Sequence, residues 1–98
     1  MAQYDVYRLR DGEIVLDVQT DLLAQFESRI VVPLMSPDLA PISHDRLNPQ
    51  MVIDGVAYVM VPQFMAAIRK SELQKPMASL TYRFEAIKAA LDMIFLGF

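Results

Sequence analysis

The chain contains no cysteine, and it has only three glycines and one histidine among its 98 residues. Without cysteine there can be no disulfides, thiol nucleophiles or zinc sites built on thiolates, and a reducing cytoplasm is the expected location. Gly12 and Gly55 fall in predicted turns and Gly97 in a predicted helix cap. The glycine loop that cradles phosphates in nucleotide-binding proteins is therefore not predicted.

Residues that could carry catalysis are also few. His44 is the only imidazole, and Ser43 and Asp45 are adjacent to it in sequence rather than placed across a cleft, which disfavours a hydrolytic triad. The carboxylates do not cluster at metal-ligand spacings. Asp17 and Asp21 are explained by a strand end that leads into a turn. We therefore expect no enzyme, no metal and no other cofactor.

The charge balance argues against a phosphate-bearing partner. Nine lysines and arginines face twelve aspartates and glutamates, for a net charge of −3, and the basic residues are scattered along the chain. Such a surface repels phosphate backbones, so direct nucleic-acid binding is not expected.

No apolar run reaches the roughly 18 residues of a membrane-spanning helix, and the first residues lack the basic and apolar regions of a signal peptide.

Apolar residues make up 54% of the chain, which is more than the core of one small domain over residues 1–98 needs. The surplus is concentrated in residues 84–98, a predicted helix whose polar stripe is narrow. Helical periodicity places Ile87 on one apolar face and Ala90 on the opposite one. A helix that is apolar on both sides needs cover from a second chain. The sequence therefore predicts a homodimer, with Met93, Ile94 and Phe95 in the interface.

The rest of the chain reads as short strands. One hairpin turns at Asp11-Gly12, a second turns at Asp54-Gly55, and a β-branched run typical of a buried strand lies between them. Residues 64–70 fit either a helical turn or the start of a last short strand, and a strand that ends near Leu73 is favoured. The predicted strands are residues 4–9, 14–19, 29–34, 51–53 and 56–61 and a segment of 64–73. This pattern predicts a mainly β fold with one C-terminal α-helix, arranged as a small antiparallel barrel or sandwich.

Two further features concern loops and caps. The segment from Ser36 to Gln50 contains three prolines, so it is predicted to be the longest loop and a candidate partner site. Ser79 or Thr81 is expected to cap the final helix at its start, and Gly97 to close it in the left-handed conformation.

Four segments, taken in order, resemble the CcdB family of gyrase-poisoning toxins. Residues 16–23, LDVQTDLL, are similar to the family's hydrophobic-Asp-Val-Gln-Ser-Asp-Ile-Ile, and residues 29–34, RIVVPL, to its Arg-hydrophobic-Val-Ile-Pro-Leu strand. Residues 47–60 resemble its Leu-x-Pro followed by a hairpin. Residues 80–98 align with its terminal helix without a gap.

The resemblance implies an SH3-like barrel with a long C-terminal helix and a homodimer joined along that helix. It also implies a bacterial toxin of the CcdA–CcdB toxin–antitoxin type that acts on a protein rather than a substrate. In the family the last residues bind the A subunit of DNA gyrase and trap the enzyme on cleaved DNA, and the positions here are Leu96, Gly97 and Phe98. Autoregulation of transcription belongs to the same expectation.

A CcdA-like antitoxin is the second partner that the resemblance implies. It would wrap the dimer through a disordered segment. Its expected contacts are chosen by predicted exposure in the first turn and in the proline-rich loop. They are Asp11, Gly12, Glu13, Ile42, Ser43, His44 and Arg46.

The chain departs from the family pattern at Leu96. The best-known member of the family ends Trp-Gly-Ile, and its Trp makes a cation–π contact with an arginine of gyrase that Leu96 cannot make. Two alternatives stay open. The missing Trp favours a CcdB-like protein that no longer poisons gyrase and acts as an antitoxin-binding or regulatory module. A MazF-type ribonuclease toxin, whose fold is similar, would use Arg29 and Arg46, but the acidic charge balance argues against it. Topoisomerase IV is an alternative target.

Overall fold

Short strands joined by tight turns account for most of the structure, a computed structural model that describes residues 2–41 and 44–98. Seven strands precede a single helix in the described residues. The strands are β1 (Asp5–Arg8), β2 (Ile14–Asp17), β3 (Ser28–Met35), β4 (Gln50–Ile53), β5 (Val56–Met60), β6 (Ala66–Arg69) and β7 (Ala78–Ser79), and the helix is α1 (Phe84–Leu96). Single 3₁₀ turns lie at Asp21–Leu23, Pro62–Phe64, Lys70–Glu72 and Thr81–Arg83.

The strands form one antiparallel sheet in the order β4-β5-β3-β2-β1-β7, with β6 paired to β3. The long strand β3 is shared, because its first half pairs with β6 and its last two residues pair with β5. Two side chains that follow β7 reach the free edge of β4: Arg83 donates to the Gln50 carbonyl at 3.1 Å and Tyr82 to the Val52 carbonyl at 3.4 Å. These contacts nearly close the sheet into a barrel. The predicted mainly β fold with one helix is confirmed.

Both faces of strands β1 to β3 are buried, because successive side chains point to opposite faces. Val6, Leu16 and Val32 lie in the main core, which α1 covers. Tyr7, Val15, Val31 and Leu73 form a second core on the other face. Along β1 to β3, side chains that contact a partner must therefore lie at the strand ends or in the turns.

The inward side of α1 differs from the prediction. Ile87 and Ala90, which helical periodicity placed on opposite faces, are the two fully buried residues of the helix and pack together into the main core. They lie one turn apart, so they share the stripe that faces the sheet. Positions three apart differ by only about 60° around a helix, so the prediction of opposite faces is wrong on helical geometry itself.

The two ends of α1 are capped in different ways. At its start no side chain caps the helix, so the prediction for Ser79 and Thr81 is wrong: the Ser79 hydroxyl accepts from the Thr81 backbone at 3.4 Å, and a 3₁₀ turn leads into the helix. At its end Gly97 has a φ of 80° and donates to the carbonyls of Asp92 and Met93. The predicted left-handed cap is confirmed.

Other strand boundaries moved by a few residues. β6 ends at Arg69 rather than near Leu73, because a 3₁₀ turn follows it and delivers Leu73 into the second core. The hairpin at Asp54-Gly55 is confirmed, and both residues have the positive φ that such tight turns require.

Within the described residues, none of the helical segments has the length and apolarity needed to span a membrane.

Candidate functional site

The end of α1 exposes a cluster of large apolar side chains. Phe95, Leu96 and Phe98 are 68%, 61% and 70% exposed. Gly97 lies among them and turns the backbone out of the helix with its positive φ. Exposed apolar clusters of this kind mark interaction sites more often than single exposed residues do. The predicted gyrase-binding residues therefore all lie on an accessible surface.

The predicted dimer residues lie at the same end of α1. Met93 and Ile94 are half-buried, while Phe95 is largely exposed. The adjacent outer side carries an ion pair of 2.9 Å between Lys88 and Asp92, one turn apart. The apolar surface is thus bordered by a polar one, which is the usual arrangement of an interface with a polar rim.

The turn between β1 and β2 holds the first group of predicted antitoxin contacts. Asp11, Gly12 and Glu13 are all exposed, and the Asp11 carboxylate accepts a hydrogen bond of 2.9 Å from the Glu13 backbone. Asp11 lines a cavity of about 750 Å³ that extends to Ile68 and Glu72. The turn therefore forms one wall of an open groove across the second core.

The second predicted group lies in the loop before β4. Ile42 and Ser43 are outside the described residues. His44 and Arg46 are exposed, and the Nδ1 atom of His44 accepts hydrogen bonds from the backbones of Arg46 at 3.3 Å and Leu47 at 3.4 Å. His44 therefore stabilises its own turn.

The turn that begins at His44 is also held in place by the side chain of Asn48. The backbone of His44 donates to the Asn48 side chain at 2.9 Å, and the buried Asn48 amide donates to the Met60 carbonyl at 3.1 Å. The three groups of predicted site residues belong to three separate elements. Within residues 2–41 and 44–98, no hydrogen bond or ion pair connects the Asp11–Glu13 turn with His44, Arg46 or the end of α1. The described residues also contain no cluster of three side chains suited to a metal ion.

The sequence did not indicate a buried ion pair between β2 and β3. Asp17 and Arg29 are both 0% exposed, and the Asp17 carboxylate accepts from Nε and Nη2 of Arg29 at 2.8 and 2.7 Å. The same guanidinium donates to the Gln19 carbonyl at 3.2 Å and reaches Asp21 at 3.4 Å. Burial raises the pKa of Asp17, while the hydrogen bonds from Arg29 and from the Gln19 backbone oppose that rise.

Two consequences follow from this ion pair. The turn Asp21–Leu23, which leaves β2, is tied to the interior through Arg29. Arg29 itself is inaccessible, which removes one of the two basic residues that the ribonuclease alternative requires.

Tyr7 lies in the second core near this pair. Burial, together with the negative charges of Asp5 and Asp17, raises the pKa of Tyr7 to about 12. The hydroxyl is buried, and the Asp5 carboxylate acts on it as a nearby hydrogen-bond acceptor, although no partner in the described residues meets full hydrogen-bond geometry.

A second exposed apolar group was also not anticipated from the sequence. Leu22, Leu23 and Phe26 follow β2 and expose 85%, 38% and 51% of their surfaces. One feature of the sequence could have indicated this exposed group: two leucines directly follow Thr20-Asp21, where the strand has ended and its apolar alternation stops. Thr20 caps this turn by accepting from the Leu22 backbone.

Comparison with known proteins gives one match. The family model described as CcdB protein matches residues 3–97, nearly the whole chain. No curated protein matches it. The match agrees with a nearly closed, mainly β barrel that carries one helix after its last strand.

Proposed function

The chain belongs to the CcdB family, and from that premise we propose that its dimer binds the A subunit of DNA gyrase and holds the enzyme on cleaved DNA. The family indicates a toxin of the CcdA–CcdB system and the SH3-like barrel described above. Gyrase as the target, the residues that contact it and the dimer are parts of our proposal.

The observation that carries the proposal is the exposed apolar cluster at the end of α1. Leu96 and Phe98 flank Gly97 in the chain, are largely exposed and do not belong to the core of their own chain. Two such ends, placed side by side by a two-fold axis, match the two-fold symmetry of a dimeric target. Burial of the apolar side chains in the complex supplies the binding energy.

The chain has Leu96 where the family pattern has Trp, so the proposed contact must differ in chemistry. A cation–π contact between Trp and an arginine is worth about 0.5–2 kcal/mol, or roughly two- to thirtyfold in affinity. Phe98 is the aromatic residue that can take over this contact, because it is largely exposed and only two positions away. Leu96 would then fill an apolar pocket.

The dimer in this proposal forms along the last turns of α1. Met93, Ile94 and Phe95 supply its apolar centre, and they lie directly before the gyrase-binding residues, so dimerisation fixes the spacing of the two ends. We propose further that residues 1–98 act as one domain of a cytoplasmic protein.

The proposed antitoxin contacts use the other exposed segments. The Asp11–Glu13 turn borders an open groove, and His44 and Arg46 lie on a turn that is braced by Asn48. A disordered antitoxin segment can wrap such separated surfaces, because it orders only when it binds.

A titration of the gyrase A subunit by calorimetry tests the proposal. The wild type is compared with the double variant Leu96→Ser/Phe98→Ser and with Leu39→Ser, a control that removes an exposed leucine from the loop after β3. We expect tight binding by the wild type and the control, and a loss of at least about 100-fold in the double variant, from two buried side chains at about 1.5 kcal/mol each. Circular dichroism verifies that all three are folded.

Three outcomes would favour other functions or another target. If the wild type does not bind gyrase at tens of micromolar but still binds an antitoxin, the chain is an antitoxin-binding module. Binding to topoisomerase IV instead would change the target. The ribonuclease alternative predicts cleavage of single-stranded RNA, which the burial of Arg29 in an ion pair does not favour.

A further inference from the structure

The dipeptide Asp-Gly occurs twice in the chain, at Asp11-Gly12 and at Asp54-Gly55. Each pair lies in the turn of a hairpin, and all four residues are exposed. In an Asp-Gly pair the glycine amide nitrogen can attack the carboxyl group of the aspartate, because glycine has no side chain to hinder the approach. The two turns carry the same reacting groups, so a difference in their reaction must come from their structures.

Hydrogen bonds occupy both reacting groups at the first turn. The Gly12 amide donates to the Leu9 carbonyl at 2.9 Å. The Asp11 carboxylate accepts from the Glu13 backbone at 2.9 Å. The attacking nitrogen and the carboxyl group are thus each held by another partner, and both bonds must break before the two can meet. The first turn is therefore protected by its own hydrogen bonds.

Neither reacting group is held in this way at the second turn. Within residues 2–41 and 44–98, the Asp54 carboxylate has no hydrogen bond or ion pair, and the Gly55 amide donates to no acceptor. The strand pair between Ile53 and Val56 closes this turn, and it uses neither of the two groups. The amide nitrogen and the carboxyl group of the second turn are therefore free to react with each other.

We propose that Asp54 is a site of spontaneous isomerisation to isoaspartate, whereas Asp11 is protected in the folded protein. The Gly55 nitrogen forms a bond to Cγ of Asp54, and the amide proton and the carboxyl hydroxyl leave as water, which gives a succinimide ring. Solvent water then adds to the main-chain carbonyl of the ring and breaks its bond to the Gly55 nitrogen. One water is released and one is consumed, so the mass does not change, but the main chain now runs through Cβ and Cγ of residue 54.

The tightness of the second turn makes this change costly. Isoaspartate adds one methylene to the main chain between Ile53 and Val56, whose register depends on a two-residue loop. Ile53 lies in the main core, and the neighbouring Val52 carbonyl accepts from the Tyr82 hydroxyl that helps to close the barrel. Isomerisation should therefore weaken both the β4–β5 hairpin and the closure of the sheet.

Ageing of the folded protein at neutral pH, followed by proteolysis and peptide mass spectrometry, tests the proposal. Isoaspartate is identified by the altered retention of its peptide and by methylation with a protein isoaspartyl methyltransferase. We expect isoaspartate to accumulate at least about tenfold faster at Asp54 than at Asp11, because two hydrogen bonds must first open at Asp11. Equal rates at the two sites, or a faster reaction at Asp11, would overturn the proposal.

The same protein unfolded in urea is the matched control, because both dipeptides then lose their folded surroundings. We expect the two rates to become similar. A difference that persists in urea would come from the neighbouring sequence rather than from the fold, and it would contradict the proposed protection of Asp11.

Urea denaturation of the aged protein measures the structural consequence. We expect a second, less stable population whose size equals the isoaspartate fraction at Asp54. A single transition at the midpoint of fresh protein, in a sample that contains isoaspartate at this position, would contradict the predicted weakening of the hairpin.

Discussion

Replacement of Arg29 by methionine is the perturbation for which the structure gives the sharpest expectation. The substitution keeps much of the apolar stem but removes the charge, and it leaves the Asp17 carboxylate buried without its partner. It also removes the donor to the Gln19 carbonyl and to Asp21. The free energy of unfolding should therefore fall by more than the value of a surface ion pair.

The expected magnitude follows from complete burial. Removal of one partner of a buried ion pair costs about 3–5 kcal/mol, because the remaining charge is uncompensated. A domain of this size is stable by only about 5–15 kcal/mol, so Arg29→Met should remove about a fifth or more of the total. The double variant Arg29→Met/Asp17→Val leaves no buried charge, and it should recover to within about 2 kcal/mol of the wild type.

The loss should also depend on pH, in a direction set by Asp17. Burial raises the pKa of Asp17, and Arg29 opposes that rise, so removal of Arg29 raises the folded-state pKa further. A group with a raised folded pKa contributes stability that is present below its unfolded pKa, about 3.9, and is lost as pH rises through the folded value. Arg29→Met should therefore be less impaired at pH 5 than at pH 7.5.

Urea denaturation followed by far-ultraviolet circular dichroism measures these differences. Protein concentration must be held constant, because dimerisation would add to the apparent stability. Lys88→Met is the matched control: it removes one partner of the exposed pair with Asp92 and should cost less than about 1 kcal/mol. A loss below about 1 kcal/mol in Arg29→Met, or an equal loss at both pH values, would refute the reasoning.

Three further predictions concern single residues. Because the pKa of Tyr7 is raised to about 12, the stability that its protonated form contributes should be lost between about pH 10 and 12. The denaturant midpoint should therefore fall more from pH 9 to pH 11 in the wild type than in Tyr7→Phe. Met93→Asp or Ile94→Asp should give monomer or unfolded protein by light scattering; stable dimers from both would contradict the interface. Gly97→Ala should cost about 1 kcal/mol in urea denaturation, since its φ is positive and its Cβ would meet no atom within 4 Å.

The sequence was informative where local chemistry decides the structure. The Asp54-Gly55 turn and the left-handed cap at Gly97 depend on residues that tolerate positive φ, so both could be predicted from short stretches of the sequence. The two-residue strand β7 could not, because Ala78 and Ser79 become a strand only by pairing with β1. Its existence depends on tertiary structure rather than on its own residues.

The same distinction applies to the interior and to the candidate site. Asp17 and Arg29 are 12 positions apart on different strands, and nothing in either local sequence indicates that they pair inside a core. Exposure of Leu96 and Phe98 is in line with an over-apolar helix end, but the buried stripe at Ile87 and Ala90 was assigned wrongly. Ile87 and Ala90 are three positions apart, so helical periodicity puts them on one face, and the prediction of opposite faces did not follow from it.

The central claim is that the end of α1 traps gyrase on cleaved DNA, and a DNA cleavage assay with purified gyrase tests it most directly. The wild type is compared with Leu96→Ser/Phe98→Ser and with the Leu39→Ser control, after all three are shown to be folded dimers. We predict that the wild type and the control accumulate cleaved DNA and that the double variant does not. Equal accumulation with all three proteins, or none with the wild type, would contradict the account.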